Sequence, residues 1–209
     1  MKGTRMESKW ADWASRLNAI AQNGLTFSHD PFNIERYTSV RKIAEEIFVA
    51  HTGVEAAVVR DFFAREEGYA TPKVGVRGAV FREGTLLFVK EPLDGFWSLP
   101  GGWAEVGESP SEAVVREVFE EAGYTTRAVK LLAVYDRNKH AHPPSPHHAC
   151  KLFIRCELLS QTPSGSPEAE AKFFEEDAIP ELSVTRVTTE QIARLFEHYR
   201  HPGWPTDLD

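Results

Sequence analysis

Hydrophobic side chains recur every three to four residues through the first part of the chain, and at every second residue along several later stretches. The first spacing is typical of helices with one buried face, and the second is typical of half-buried strands. The pattern predicts three helices, over about residues 8–22, from Asp30 to near Gly53, and over about 54–66. We expect the first helix to end near Gly24, because glycine commonly stops helices.

A linker at residues 66–73, marked by Gly68 and Pro72, separates this helical part from the strand-like part. Strands are predicted over residues 74–81, 85–90, 128–135, 151–158 and 168–174. A helix capped by Thr188 and Gln191 follows them. We therefore predict a small all-helical N-terminal domain at residues 1–66 and a second domain, which mixes strands and helices, at residues 67–209.

Residues 109–123 carry the local signals of one capped helix. Ser109 is a favourable N-cap, Pro110 suits the first helical position, and Glu112 completes a capping box. Gly123 then supplies the stop. The apolar positions that we predict to form the buried stripe are Val115, Val118, Phe119 and Ala122.

The same helix carries three carboxylates within about one turn, Glu117, Glu120 and Glu121. Like charges one turn apart repel each other, and a solvated helix face is the ordinary interpretation of such a cluster. Here Glu108, Arg116 and the Gly101–Gly102 pair accompany the cluster at fixed offsets. Hard oxygen ligands beside accessible glycine backbone suit Mg²⁺ or Mn²⁺ together with a phosphate-bearing substrate.

The spacing of these residues resembles the complete box of the Nudix hydrolases. Gly102 is followed after five residues by Glu108, and after seven more by residues 116–124, Arg-Glu-Val-Phe-Glu-Glu-Ala-Gly-Tyr. Tyr124 departs from the family pattern, which prefers an aliphatic residue at this packing position. The resemblance implies an α/β/α sandwich with a mixed sheet, and metal-dependent hydrolysis of a nucleoside diphosphate linked to another group, X.

The resemblance also implies roles for individual residues. Mg²⁺ or Mn²⁺ would be bound by Glu117 and Glu121, by Glu120 directly or through water, and by the backbone carbonyl of Gly101. Arg116 would pair with Glu108 or Glu120 and orient the carboxylates, which is a structural role. Some members of the family take the general base from the box and others from a later loop. In this chain the later candidates are Glu168 and Glu170, of which Glu170 is our first choice.

The identity of X depends on weaker signals. The segments Lys9–Trp13 and Asp30–Phe32 resemble the N-terminal domain of a bacterial Nudix subgroup that acts on X-linked nucleoside diphosphates, which implies ADP-ribose or CDP-choline. An aromatic cage would favour choline, because a quaternary ammonium binds over ring faces. The rings available for a cage are Trp10, Trp13, Trp97 and Tyr135. The candidate substrate-binding residues are Arg77, Trp97, Tyr135 and His140, although Trp97 also fits a core position.

A loop rich in histidine and proline, residues 136–148, is a second candidate for specificity. Its four histidines fit no standard zinc spacing, and we expect them to donate hydrogen bonds to substrate phosphates. Cys150 and Cys156 lie on one face of one predicted strand, too far apart for a disulfide, so both are expected to be free thiols.

Composition excludes several classes of protein. The net charge of −7 gives no support for general nucleic-acid binding, and no apolar run is long enough for a membrane helix. The N-terminus lacks the apolar core of a secretory signal, so we expect a cytoplasmic protein. The helical domain has more aromatic surface than it can bury alone, and we expect a homodimer. A Nudix enzyme acting on RNA 5′ ends or nucleoside triphosphates, and a non-catalytic nucleotide-binding regulator, stay open as alternatives.

Overall fold

The structure is a computed structural model that describes residues 2–160, 162–165 and 167–209, without the side chains of residues 2–8. The chain divides into two compact units. The first comprises Met1–Pro72 with Pro144–His148, and the second comprises Lys73–Pro143 with Ala149–Asp209. Within the described residues, none of the helices has the length and hydrophobicity needed to cross a membrane. The domain boundary at residues 66–67 and the cytoplasmic location stay predictions.

The first unit contains three helices, α1 (Lys2–Phe27), α2 (Pro31–Thr52) and α3 (Ala56–Arg65). The side chain of Asp30 accepts the backbone N–H of Asn33 and so caps α2, which ends at Gly53 in the left-handed conformation. The core of the first unit contains small side chains on α1 and aromatic side chains on α2 and α3. The buried members are Ala11, Ala14, Ala44, Phe48, Val59 and Phe63.

The expectation that α1 ends near Gly24 is wrong, because α1 continues to Phe27. A Cβ atom at Gly24 would lie 2.4 Å from the ring of Tyr37 on α2. This glycine therefore allows close packing between two helices and does not stop one of them.

The second unit is built on one sheet with two helices. Its elements are β1 (Lys73–Arg82), β2 (Thr85–Lys90), β3 (Trp97–Ser98), α4 (Pro110–Ala122), β4 (Thr126–Asp136), β5 (Ala149–Leu158), β6 (Ala171–Phe174), α5 (Thr189–Arg200) and β7 (Asp207–Leu208). The strand order is β3-β2-β1-β5-β4-β7, with β6 also paired to β2. β1 and β5 are parallel, as are β4 and β7, and the other pairs are antiparallel. The sheet is mixed, as predicted.

Each face of this sheet packs against one helix. Val114 and Val118 of α4 belong to a core on one face, and Ile192 and Phe196 of α5 belong to a core on the other face. Alternate residues of β5 divide between them, since Ile154 faces the α4 side and Phe153 faces the α5 side. The predicted α/β/α sandwich is confirmed.

The helix α4 has the predicted capping box at Ser109 and Glu112 and the predicted stop at Gly123. Two members of the predicted buried stripe are wrong, because Val115 is only partly buried and Phe119 is 43% exposed. Ala113 and Val114 are buried instead. Phe119 packs at the surface, where a Cβ atom on Gly165 would lie 2.9 Å from its ring. The rotated stripe leaves Glu117 and Glu121 at its border and partly buried.

The residues after α5 run alongside β4. The Lys130 ammonium donates to the carbonyls of Pro202 and Trp204, both at 2.6 Å, and the Thr206 hydroxyl donates to the carbonyl of Leu131 at 2.8 Å. Asp207 on β7 lies next to Arg194, whose hydrogen bonds hold the pKa of the Asp207 carboxyl at about 2. This tail covers part of the outer side of β4.

Candidate active site

The glycine loop at residues 99–104 is fixed by backbone hydrogen bonds to β1. The N–H groups of Val76 and Gly78 donate to the carbonyls of Gly102 and Pro100, at 2.9 and 2.8 Å. The N–H of Ala104 donates back to β1 at 3.0 Å. The loop is therefore held like an additional strand, and its backbone groups have fixed positions.

Two glycines bring this loop against the carboxylates of α4. Gly101 has a φ of 147°, and a Cβ atom there would lie 2.1 Å from the carbonyl oxygen of Val76. Its N–H donates to Glu121 Oε2 at 2.8 Å. At Gly102 a Cβ atom would lie 2.4 Å from Glu117 Oε1. Any side chain at either position would displace the backbone or a carboxylate.

Arg116 connects the remaining carboxylates of the box. Its guanidinium lies 2.7 Å from Glu108, 3.0 Å from Glu117 and 2.9 Å from Glu120. The hydrogen bonds to Arg116 hold the pKa of Glu108 at about 2, and these carboxylates raise the pKa of Arg116. Sequence reasoning offered Glu108 or Glu120 as the partner, and the structure pairs Arg116 with both and with Glu117.

Glu117 and Glu121 stand one helical turn apart beside the glycine loop. Burial raises the pKa of Glu117, and it raises the pKa of Glu121 to about 7 even though the Gly101 N–H and the nearby Arg77 act in the opposite direction. Negative charge at this place is therefore incompletely compensated by the protein. A cation bound here would remove that imbalance.

The donor set fits a magnesium-like ion. Over the described ranges, no three or more side chains of His, Cys, Asp or Glu are grouped so as to hold a metal by themselves. Mg²⁺ is commonly bound by one or two carboxylates with water and substrate phosphates, and rarely by an all-protein cage. Glu117 and Glu121, with the carbonyl of Gly101, offer that kind of partial shell. In the structure this carbonyl accepts a hydrogen bond from Arg77.

The candidate general base Glu170 lies on the segment that leads into β6. Its carboxylate is exposed and pairs with Lys172 and, at 3.8 Å, with Lys90. The hydrogen bond from Lys172 lowers the pKa of Glu170. The backbone N–H of Glu168 donates to the carbonyl of Glu120 at 3.0 Å, which ties the preceding residues to the end of α4. The assignment of the base stays a prediction.

Two of the aromatic candidates, Trp97 and Tyr135, belong to the α5-side core of the second unit. Trp97 meets Phe174 edge-on at 4.9 Å and packs on the α5-side core. Tyr135 is buried, donates to Asp207 at 3.1 Å, and its ring lies 4.2 Å from that of His140. Burial raises the pKa of Tyr135 to about 12.

Trp10 and Trp13, in the first unit, contact each other with ring centroids 5.0 Å apart. The ring contacts of Trp97 and Tyr135 in the second unit are with other partners, Phe174 and His140.

The histidines of the loop at residues 136–148 contact different partners. His140 bonds Asp209 at 3.0 Å, and His142 bonds the carbonyl of Val184 at 2.6 Å. His147 belongs to the first unit, where its ring lies 4.2 Å from that of Phe62. Cys150 and Cys156 are free, as expected.

Sequence reasoning missed several charged residues that surround Arg77 and Lys151. Glu91 is buried and pairs with Arg186 at 2.8 Å, and Lys151 and Arg137 are buried on the same unit. A signal for Lys151 was present, because it alternates with Phe153 on the inward-facing positions of β5. Arg137 is buried and Arg186 is half-buried, and both lie outside the strands, where no periodicity indicates burial.

Comparisons with known proteins identify the families that the two parts of the chain match. A family model described as "NUDIX domain" matches residues 71–196, and one described as "UDP-X-like, N-terminal oligomerisation domain" matches residues 8–63. A provisional ADP-ribose pyrophosphatase of Bacillus subtilis (strain 168), YjhB, is 45% identical over 206 residues, which are 98% of this chain and 99% of that protein. An ADP-ribose pyrophosphatase of Methanocaldococcus jannaschii is 34% identical over 55% of this chain and 69% of its own length.

Two solved structures extend the likeness. A crystal structure of a UDP-X diphosphatase matches 97% of this chain and 99% of its own, with a TM-score of 0.62 and 32% identity. A crystal structure of an ADP-ribose pyrophosphatase from Streptococcus suis 89-1591 matches 66% of this chain and 100% of its own, with a TM-score of 0.60 and 39% identity.

Proposed function

This chain belongs to the Nudix hydrolase family, and we propose that it is a Mg²⁺- or Mn²⁺-dependent pyrophosphohydrolase of nucleoside diphosphates linked to a sugar. The products would be a nucleoside monophosphate and a phosphorylated sugar. The observation that carries the proposal is the approach of Glu117 and Glu121 to the Gly101–Gly102 backbone, with Arg116 fixing the carboxylates around them.

ADP-ribose is the leading substrate. The Bacillus subtilis relative with that provisional assignment aligns over nearly the whole of both chains, helical part included. A UDP-linked sugar is the next candidate, because the UDP-X diphosphatase is similar over both units. CDP-choline, our other expectation, comes third, because the relatives that match nearly the whole chain are named for ADP-ribose and for UDP-X.

The chain's own residues prepare the site for a diphosphate. Glu117 and Glu121 would hold the metal, which when bound would offset charge on the attacked and leaving phosphates and lower the pKa of water. Arg116 keeps Glu117 and Glu120 in place. The Gly101 N–H orients Glu121, and the Arg77 guanidinium donates to the Gly101 carbonyl oxygen. Glu170 is our proposed base, and the alternatives are Glu168 and a glutamate of the box.

The substrate assignment has a direct test. Purified protein with Mg²⁺ is expected to convert ADP-ribose to AMP and ribose 5-phosphate, and chelation of the metal is expected to abolish the reaction, because the carboxylates alone leave the phosphate charge uncompensated. The comparison panel contains UDP-glucose, CDP-choline, nucleoside triphosphates and 5′-triphosphorylated RNA, with products separated by chromatography. Turnover confined to the triphosphates or to RNA would overturn the proposal, and turnover of CDP-choline alone would replace the sugar by choline.

We further propose that copies of the chain associate through the first unit. Residues 8–63 match a family model described as an oligomerisation domain. An open groove of about 400 Å³ there is lined by Trp10, Trp13, Arg16, Leu17, Ile20 and Ile47. Ile20 is 56% exposed and Trp13 is 44% exposed, so the groove presents apolar surface that a second copy would cover.

A charge placed in this groove is expected to separate the copies. The wild-type protein should sediment at twice the chain mass, and Ile20→Glu should shift it toward the single-chain mass at the same concentration, because a buried carboxylate without a partner opposes association. Lys42→Glu, at an exposed position of α2, is the control and should keep the wild-type mass. A single-chain mass for the wild type would contradict the proposed dimer.

A further inference from the structure

Four basic side chains lie together in the second unit: Arg77, Arg137, Lys151 and Arg186. Lys151 on β5 is paired with Gly75 on β1 and with Tyr135 on β4, and paired residues point to the same face of a sheet. Arg77 is two residues beyond Gly75 and shares that face. This is the face that also packs against α5.

Two of these basic side chains are buried without a carboxylate partner. Lys151 is 7% exposed and Arg137 is 6% exposed. The Lys151 ammonium donates to the carbonyl of Arg186 at 2.5 Å, and Arg137 donates to the carbonyl of Pro143 at 2.9 Å. In the part of the chain that the structure describes, neither forms an ion pair within 4.0 Å. Arg186, by contrast, pairs with the buried Glu91 at 2.8 Å.

Such burial is costly for a charged side chain unless a negative group comes to it. Burial, and then Arg77, Arg137 and Arg186, lower the pKa of Lys151 to about 6. Burial lowers the pKa of Arg137 as well. No acidic group counters either change, so the surroundings of Lys151 and Arg137 would be stabilised by an anion.

His142 fixes the direction of the lysine. Its Nδ1 lies 2.6 Å from the carbonyl oxygen of Val184, so Nδ1 carries the proton and donates. The Nε2 lone pair then accepts from the Lys151 ammonium at 3.2 Å and from the side-chain amide of Gln191 at 3.3 Å. A neutral histidine therefore orients the lysine and places no negative charge beside it.

We propose that Lys151 and Arg137 form a subsite for an anionic group on X, a carboxylate or a phosphate of an acidic sugar. The inference rests on the proposed function, because Arg77 links this subsite to the glycine loop, where it contacts the carbonyls of Leu99 and Gly101. The diphosphate would lie at Glu117, Glu121 and Gly101, and the far end of X would lie at Lys151. A quaternary ammonium would be repelled there.

A matched pair of substrates tests the subsite. UDP-glucuronate and UDP-glucose differ only at C6, where one has a carboxylate and the other a hydroxymethyl group. We expect kcat/KM of the wild type to favour UDP-glucuronate by about tenfold or more, because hydrogen bonds to charged groups have that effect. In Lys151→Met the preference should disappear, because kcat/KM for UDP-glucuronate should fall to the level of UDP-glucose in the same variant. Arg137→Met is a second variant of the subsite, and the exposed Lys139→Met is the matched control.

Calorimetry gives a readout without turnover. Glucose 1-phosphate, glucuronic acid 1-phosphate and glucose 1,6-bisphosphate carry a hydroxyl, a carboxylate and a phosphate at C6. Tighter binding of either anionic ligand, lost in Lys151→Met, supports the subsite and shows which anion it prefers. If this binding preference appears while neither the two UDP-sugars nor ADP-ribose is hydrolysed, the proposed function fails and the subsite stands.

Two other outcomes would overturn the inference. Equal kcat/KM for the two UDP-sugars in the wild type, with equal binding of the three phosphates, would show that the subsite does not bind an anion on X and would leave the hydrolase proposal intact. A loss in Lys151→Met that is equal for both UDP-sugars would show that the lysine serves their shared diphosphate. Thermal unfolding of each variant, compared with the wild type, verifies that the measured protein is folded.

Discussion

Replacing Glu121 by Gln is expected to lower kcat by about 10²- to 10³-fold, which is the usual effect of removing one group that stabilises charge at a reacting centre. Gln has nearly the same shape and its carbonyl can still accept the Gly101 N–H, which lies 2.8 Å from Glu121 Oε2. The charge alone is removed. Because that charge is partly buried, we expect the melting temperature to stay the same or rise. Steady-state kinetics with Mg²⁺ and ADP-ribose, together with thermal unfolding, measure both effects.

Glu190→Gln provides the matched control for this variant. Glu190 is exposed in the first turn of α5, away from the box helix in sequence, and the same chemical change there should leave kcat unchanged. Binding of Mn²⁺ should weaken in Glu121→Gln and not in Glu190→Gln, because one hard oxygen ligand loses its charge. A Glu121→Gln enzyme with wild-type kcat would remove Glu121 from the proposed metal shell.

Gly101→Ala is expected to be the most destabilising single substitution of the glycine loop. Its Cβ would lie 2.1 Å from the carbonyl oxygen of Val76 and 2.9 Å from the Cα of Arg77, and backbone atoms of a central strand cannot move aside cheaply. We expect a loss of about 1–3 kcal/mol for the backbone conformation and about 1–3 kcal/mol for the clash. Denaturant unfolding measures the sum as a lower free energy of unfolding.

Gly84→Ala separates the two contributions. Gly84 also has a positive φ, 82°, but a Cβ atom there would meet nothing within 4 Å. This control should lose only about 1 kcal/mol, the cost of the backbone conformation. Equal losses in the two variants would show that the contact with Val76 does not matter.

The local parts of the fold were predictable because their causes are local. Ser109, Glu112 and Gly123 fix the ends of α4 through hydrogen bonds and a backbone conformation within a few residues. The role of Gly24 could not be predicted from local signals. A side chain at this position would collide with the ring of Tyr37 on another helix, and a sequence pattern gives no distance between helices.

The candidate site divides in the same manner. The offsets of Glu108, Arg116 and Glu117 indicated the carboxylate cluster. The structure adds that the Arg116 guanidinium contacts Glu108, Glu117 and Glu120. The buried cations Arg137 and Lys151 escaped notice because their proximity depends on strand pairing and on loops distant in sequence. Long-range electrostatics of this kind leaves little trace in local spacing.

The edges of the sheet limit how this protein aggregates. Long exposed edge strands act as templates for strands of other molecules. Here β3 and β7 have two residues each, and β6 has four. The outer side of β4 is partly covered where Lys130 and Leu131 bond to the tail. In the described sheet little continuous backbone is available to a second molecule, so intermolecular β-pairing and fibril growth from the folded state are disfavoured.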